Sequence, residues 1–151
     1  MHVSDLFLSV EGRIGRRQFW IGMIAVWALS QAIEWMLGVP ITSDPASQRL
    51  RIIAFMIGLL SIYPTAAIAV KRLHDRDQPG KYVWLLVAAL ASALVGDLFG
   101  VFADSAPVTP LRWLAIAVIG VVCLGYLIEL GFRRGAPGPN RYGPDPLGDR
   151  G

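Results

Sequence analysis

The sequence has one cysteine, two histidines and little charge. Cys123 stands alone inside an apolar run. No intrachain disulfide can form, and a small buried hydrophobe is the role its surroundings suggest. Of the histidines only His74 has carboxylates beside it, and His2 is far away in sequence. No pair stands at metal-ligand spacing, so neither a metal nor a cofactor is expected. Nor does a nucleophile element accompany His74, and the chain reads more as a binding protein than as an enzyme. Charged residues make up 17% of the chain and apolar ones 54%, where soluble domains average about 25% charged. Basic residues flank apolar segments instead of covering one soluble face, which argues against nucleic acid as a partner.

What is present is hydrocarbon-soluble helix. A chain of 151 residues suits one domain. Its charges cluster at the ends of four apolar segments, about 18–37, 50–70, 82–103 and 111–132, each near the roughly 20 residues a bilayer core demands. The expectation is an all-α polytopic membrane protein, a single membrane domain over 1–151. Its four transmembrane helices form two helical hairpins, with a short N-terminal interfacial helix and an irregular Gly/Pro-rich tail over 133–151. Ser4, Phe7, Leu8 and Glu11 suit the interfacial helix, with Ser4 as N-cap and Gly12 as its stop. Arg16-Arg17 ahead of Phe19 superficially matches a twin-arginine export signal, but three further spans follow, and the segment reads as a permanent anchor. Pro64 removes the donor to the Leu60 carbonyl, so a kink is expected there, with Ser61 and Thr65 hydroxyls near the freed group. Gly96 and Gly100 form a G-x-x-x-G that predicts close packing of the third span.

Orientation follows from the basic residues. Arg13, Arg16, Arg17, Lys71, Arg72, Arg76, Lys81, Arg133, Arg134, Arg141 and Arg150 lie on one side, and only Arg49, Arg51 and Arg112 on the other. The positive-inside rule places both termini and the central charged run in the cytoplasm.

Two groups of residues are candidates for chemistry. The acids Glu34, Asp97 and Glu129 sit in or beside the spans. A charge at mid-bilayer costs about 2.5–3.5 kcal/mol on insertion scales, so such a residue usually faces the bundle interior and has a partner. Arg51 and Arg112 are candidate partners for Glu34 or Asp97, and Arg133 for Glu129. A common hydrated interior for the three acids would make the protein a small transporter or channel. The second group is the charged collar. His74 and Asp75 beside Arg72 and Arg76 could titrate or catalyse, which is the enzymatic alternative. Arg13, Arg16, Arg17 and Arg72 suit bidentate recognition of a phosphate or an anionic headgroup. The expected partners are the lipid bilayer and anionic phospholipid headgroups, with a second copy of the chain or other membrane proteins behind them.

Three motifs together resemble one family. They are Gly12-Arg13-Ile14-x-Arg16-Arg17-x-Phe19-Trp20, then Arg72-Leu73-His74-Asp75 ahead of Pro79-Gly80, then Gly138-Pro139-Asn140-Arg141-Tyr142-Gly143-Pro144-Asp145-Pro146. In this order around four apolar segments they are similar to the domain of unknown function 805 family, small bacterial inner-membrane proteins. Gly15 stands where that family often has Ser, Asp77 where a Gly is usual, and Pro79 where Ser is common. The last two departures are expected to reshape the turn after His74. The resemblance implies a four-helix bundle in the inner membrane and no particular activity. It also suggests that the three motifs meet, the Asn140–Tyr142 tail folding over Arg13, Arg17, Arg72, His74 and Asp75.

Overall fold

Four helices are long and apolar enough to cross a membrane, which is the make-up of a multi-pass membrane protein. A computed structural model describes residues 3–39, 48–103 and 106–148. His2, residues 40–47 and Arg150 lie outside the described residues. The order is α1 (Val3–Leu8), α2 (Arg16–Met36), α3 (Gln48–Asp75), a 3₁₀ turn (Gly80–Tyr82), α4 (Val83–Leu98) and α5 (Pro110–Tyr126), which runs on into a π-helical turn (Leu127–Phe132). Among the described residues there is no strand, and an isolated bridge pairs Asn140 with Gly143 in the tail.

α3 is the central element and packs on α1, α2 and α4, while α5 packs on α4. Its residues Ala67 to Leu73 are buried without a break, because α1, α2, α4 and the π turn close around that end. The core there comprises Ile14, Phe19, Ile68, Leu73, Val83, Leu86 and Leu130 among others. Beside it lies an apolar cavity of about 360 Å³, bordered by Cys123, which is half-buried. Lipid tails are as apolar as leucine, so burial from water does little to hold such helices together, and packing and polar bonds matter more. One such bond joins the Ser30 and Ser61 hydroxyls of α2 and α3 at 2.7 Å. Ser61 also donates to the Ile57 carbonyl, so it serves that carbonyl and not the one Pro64 leaves without its donor.

Three helices end alike. Gly38 after α2 and Gly100 after α4 have φ of +72° and +68°, and Asp77 after α3 has φ of +57°. In each, the left-handed residue and the one after it donate back to the last turn, as in Gln78 N–H to Leu73 O at 2.9 Å and Asp77 N–H to His74 O at 3.0 Å. This is a Schellman closure, whose C′ position favours glycine. Asp77 therefore completes the turn it was expected to reshape, and Arg141 pairs with its carboxylate at 3.2 Å. Asp77→Gly is expected to stay within about 1 kcal/mol of wild type. Relief of the left-handed backbone, about 1–2 kcal/mol, offsets loss of an exposed pair worth about 0–1 kcal/mol. Asp77→Val has neither gain and is expected to lose about 2 kcal/mol. Equal unfolding midpoints for the two variants would contradict the assignment.

The same closure corrects other readings. Gly100 lies beyond α4, and a Cβ at Gly96 would meet the Phe102 ring at 2.2 Å. The G-x-x-x-G thus ends the helix and folds the chain back, with Gly100 also against the Arg51 side chain of α3. Small residues also lie between helices at Gly58 of α3, against Leu94 of α4, and at Gly22 of α2, against Ile68 of α3. Ser4 is inside α1 and not at its cap, and α1 stops at Leu8, short of Gly12. Its terminal carbonyls are taken by the buried Lys71 ammonium, which donates to Asp5 and Leu6, and by Tyr63, which donates to Leu8 at 2.7 Å. A helix end leaves its last carbonyls unpaired and attracts cations, and the Asp5 carboxylate adds to the attraction for Lys71.

Candidate functional site

α3 runs five residues past the apolar segment, to Asp75. Arg72 and Asp75 thereby fall on one helix face, i to i+3, and form an ion pair. Arg13, in the segment leading into α2, reaches the other carboxylate oxygen, its Nη2 at 3.1 Å and its Nε at 3.3 Å from Oδ1. Both guanidinium groups and the carboxylate are almost wholly buried, at 1% and 5% side-chain exposure. Charges so placed need partners for their remaining donors. Arg13 finds them in the tail, donating to Gly138 O and Ala136 O at 2.7 Å each and to Gly143 O at 3.3 Å. Arg72 donates to Leu130 O at 2.7 Å, to Ile14 O and to Arg133 O. Among the described residues no buried side-chain nitrogen or oxygen is left without a partner.

The π turn supplies much of this. Five successive carbonyls at the end of α5 each accept from a side chain: Glu129 from Arg76, Leu130 from Arg72, Gly131 from Trp20, Phe132 from Arg16 and Arg133 from Arg72. Helix-end carbonyls carry the negative pole of the helix, which is why arginines gather on them. Glu129 itself is held by Arg76 and, at 2.8 Å, by Arg133. Burial, with Arg133 nearby, lowers the basicity of Arg76.

The tail closes over the end of α3. The His74 ring stacks on Tyr142 with centroids 3.8 Å apart and planes 5° apart. Its Nδ1 lies 3.3 Å from Gly12 O, and Asn140 donates to His74 O at 2.9 Å. Arg141 lies over the Tyr142 ring, 4.8 Å from its centroid. Asp145 fixes the far part of the tail, accepting from Gly138 N–H at 3.0 Å and Leu147 N–H at 2.9 Å. Those two bonds, the one from Leu147 foremost, and nearby Arg13 hold its carboxyl below the usual range. Gly135 is essential to the closure. A Cβ there would lie 2.1 Å from Asp75 Oδ2.

Of the sequence candidates, Arg13, Arg72, His74, Asp75, Asn140 and Tyr142 therefore come together in one internal assembly. Arg16 and Arg17 lie elsewhere. They are exposed and border a groove of about 860 Å³ between the start of α2 and the tail, with Arg134, Pro137, Asp145 and Leu147 on the opposite side. Arg16 has one bond, 3.3 Å to Phe132 O. Among the described residues Arg17 and Arg134 have no hydrogen-bond or ion-pair partner. Gly135, Trp20 and Arg134 were not singled out by the sequence as site residues. Only the Pro/Gly density of the tail and the aromatic close of the first motif hinted at the first two.

The remaining acids do not share this place. Gln31 donates to Glu34 at 2.9 Å near the end of α2, and Asp97 lies near the end of α4, within the electrostatic reach of Glu34 and Arg51. Arg112 donates to Ala106 O at 2.7 Å and Phe102 O at 3.3 Å. Glu34 and Asp97 are thus at the opposite end of the bundle from Glu129. Among the described residues no three metal-ligating side chains converge.

Two curated relatives share the sequence over almost its whole length. They are Uncharacterized protein YiiR of Escherichia coli (strain K12) and its counterpart in Escherichia coli O157:H7. Each is 31% identical over 148 residues, which covers 96% of this chain and 90% of the relative. No solved structure matches. A family model described as Protein of unknown function (DUF805) matches residues 7–144, a stretch that takes in all four long helices, the buried Arg13–Asp75–Arg72 assembly and the tail as far as Pro144, and the chain belongs to that family.

Proposed function

We propose that this is a non-enzymatic binding or scaffolding protein of the bacterial inner membrane, with both termini cytoplasmic and its charge-rich end as working surface. The division of the basic residues between the two sides supports that orientation. One observation carries the reading: among the described residues Arg17 and Arg134 stand unpartnered across an open groove whose wall is fixed from behind by a fully satisfied ionic assembly. Preorganised arginines in such a place suit an anionic group, since the guanidinium fork matches phosphate and carboxylate alike. His74 covered by Tyr142 and Asp75 closed in by two arginines suit structural work better than proton transfer. Glu129 at one end and Glu34 with Asp97 at the other argue against a shared ion path.

Native mass spectrometry of protein purified from its membranes tests this. Wild type is expected to carry a bound anionic species that Arg17→Ala/Arg134→Ala lacks. No bound species, or equal amounts on both proteins, would end the reading.

A further inference from the structure

The groove has an apolar side as well as a charged one. Ile21, one turn after Arg17 on α2, lines it and is 53% exposed. Beyond it Ile24, 56% exposed, Ala25 and Ala28 continue the outward surface of α2 away from the charged end. On the tail side Leu147, 65% exposed, lies with its Cδ2 3.9 Å from a Cβ built on Gly15, and so flanks the start of α2. A soluble anion would need the three arginines and nothing else. The arginines stand instead at the head of an exposed apolar strip on a helix of bilayer length, which is the layout of a phospholipid with its phosphate at the interface and its chains along the helix.

Resting on the reading just given, we propose that the groove is a binding site for one anionic phospholipid. Arg16, Arg17 and Arg134 take the phosphodiester, and the acyl chains lie on Ile21 and Ile24. The charges favour an anionic over a zwitterionic headgroup. Four arginines border the groove, Arg72 with its charge taken by Asp75, which leaves Arg16, Arg17 and Arg134 against the carboxylate of Asp145, whose oxygens are already engaged by Gly138 and Leu147 N–H. Asp75 also borders it, but its charge is spent on Arg13 and Arg72. The choline or ethanolamine cation of a zwitterionic lipid would meet mainly arginine.

Delipidated protein in a neutral detergent is titrated with dioleoyl phosphatidylglycerol, dioleoyl phosphatidylcholine or inorganic phosphate, and adducts are counted by native mass spectrometry. Wild type is expected to take one phosphatidylglycerol at least about 10-fold more tightly than phosphatidylcholine. Arg17→Ala/Arg134→Ala is expected to lose that preference by about 10- to 100-fold, the worth of one or two charge-assisted bonds. Lys81→Ala removes a charge from the same end of the bundle outside the groove and should leave the preference intact. Equal loss in Lys81→Ala, or no preference in wild type, overturns the lipid site. Inorganic phosphate bound and lost in the double variant, without a lipid preference, also overturns it while leaving the anion-binding reading standing. No anion bound in any form defeats both. Circular dichroism of the double variant must match wild type, and Arg17→Lys/Arg134→Lys, which keeps charge but not the fork, is expected to recover part of the preference.

Discussion

Replacing Asp75 by alanine is expected to cost the fold about 3–5 kcal/mol, the usual consequence of stripping one partner from a buried ionic group. Two guanidinium groups would be left facing each other at about 1% exposure, without the carboxylate between them. Their bonds to backbone carbonyls survive the change, but carbonyls carry partial charge and cannot neutralise two cations. Repulsion between Arg13 and Arg72 then acts on the parts that Arg13 holds, which are the tail carbonyls of Ala136, Gly138 and Gly143. The tail should therefore become a protease substrate before the spans unfold. Asp75→Asn keeps the shape and one acceptor and should cost less than Asp75→Ala. Unfolding in mixed micelles with increasing dodecyl sulfate, alongside limited proteolysis of the tail, measures both. A loss under about 1 kcal/mol would mean the carbonyls alone hold the arginines.

Gly135→Ala is expected to be nearly as damaging, although it adds only a methyl group. The added carbon would lie 2.1 Å from Asp75 Oδ2 and 2.7 Å from its Cγ. Overpacking typically costs about 1–3 kcal/mol when neighbours can shift. Here the struck group is a carboxylate held on both oxygens, and moving it breaks an ion pair, so about 3 kcal/mol is expected. The Ala136 N–H bond to Asp75 O, 2.8 Å, resists a retreat of the tail in the other direction. The combination Asp75→Ala/Gly135→Ala gives a sharper test, because the new methyl enters space the carboxylate has vacated. Its loss should fall short of the sum of the single losses by 1 kcal/mol or more, a coupling within the range of about 0.5–3 kcal/mol seen for contacting residues. Strict additivity would show that the two positions do not touch.

Much of the architecture was legible in the sequence, since hydropathy and length mark a bilayer span more strongly than most local signals mark anything. The boundaries were less so. Lys71 and Arg72 read as the polar end of the second span, yet the helix continues to Asp75 because backbone carbonyls of α1 and of the π turn receive those charges. A carbonyl row has no side-chain signature. For the same reason nothing separates Arg13 and Arg72, buried and engaged, from Arg17 and Arg134, exposed and unpartnered among the described residues. All four are arginines beside an apolar run, and only the fold determines which of them meets an acceptor. Gly135 looked like one more residue of a Pro/Gly tail. Asp77 looked like a departure that would alter its turn, where the short polar side chain in fact tolerates the left-handed backbone.

The bonds of Arg13 also set an order of events. Its partners at Ala136, Gly138 and Gly143 are 123, 125 and 130 residues further along the chain. A ribosome makes Arg13 at least 123 residues before those carbonyls. Contacts so distant in sequence close late, after the loops between them have been fixed. Until those carbonyls are made, the guanidinium has Asp75 within reach but not the tail. Only once the chain has been made past Gly143 can the tail close over it and raise the groove's far wall. A chain stopped before Ala136 could still pair Arg13 with Asp75, yet it would leave that guanidinium uncovered where the tail carbonyls belong.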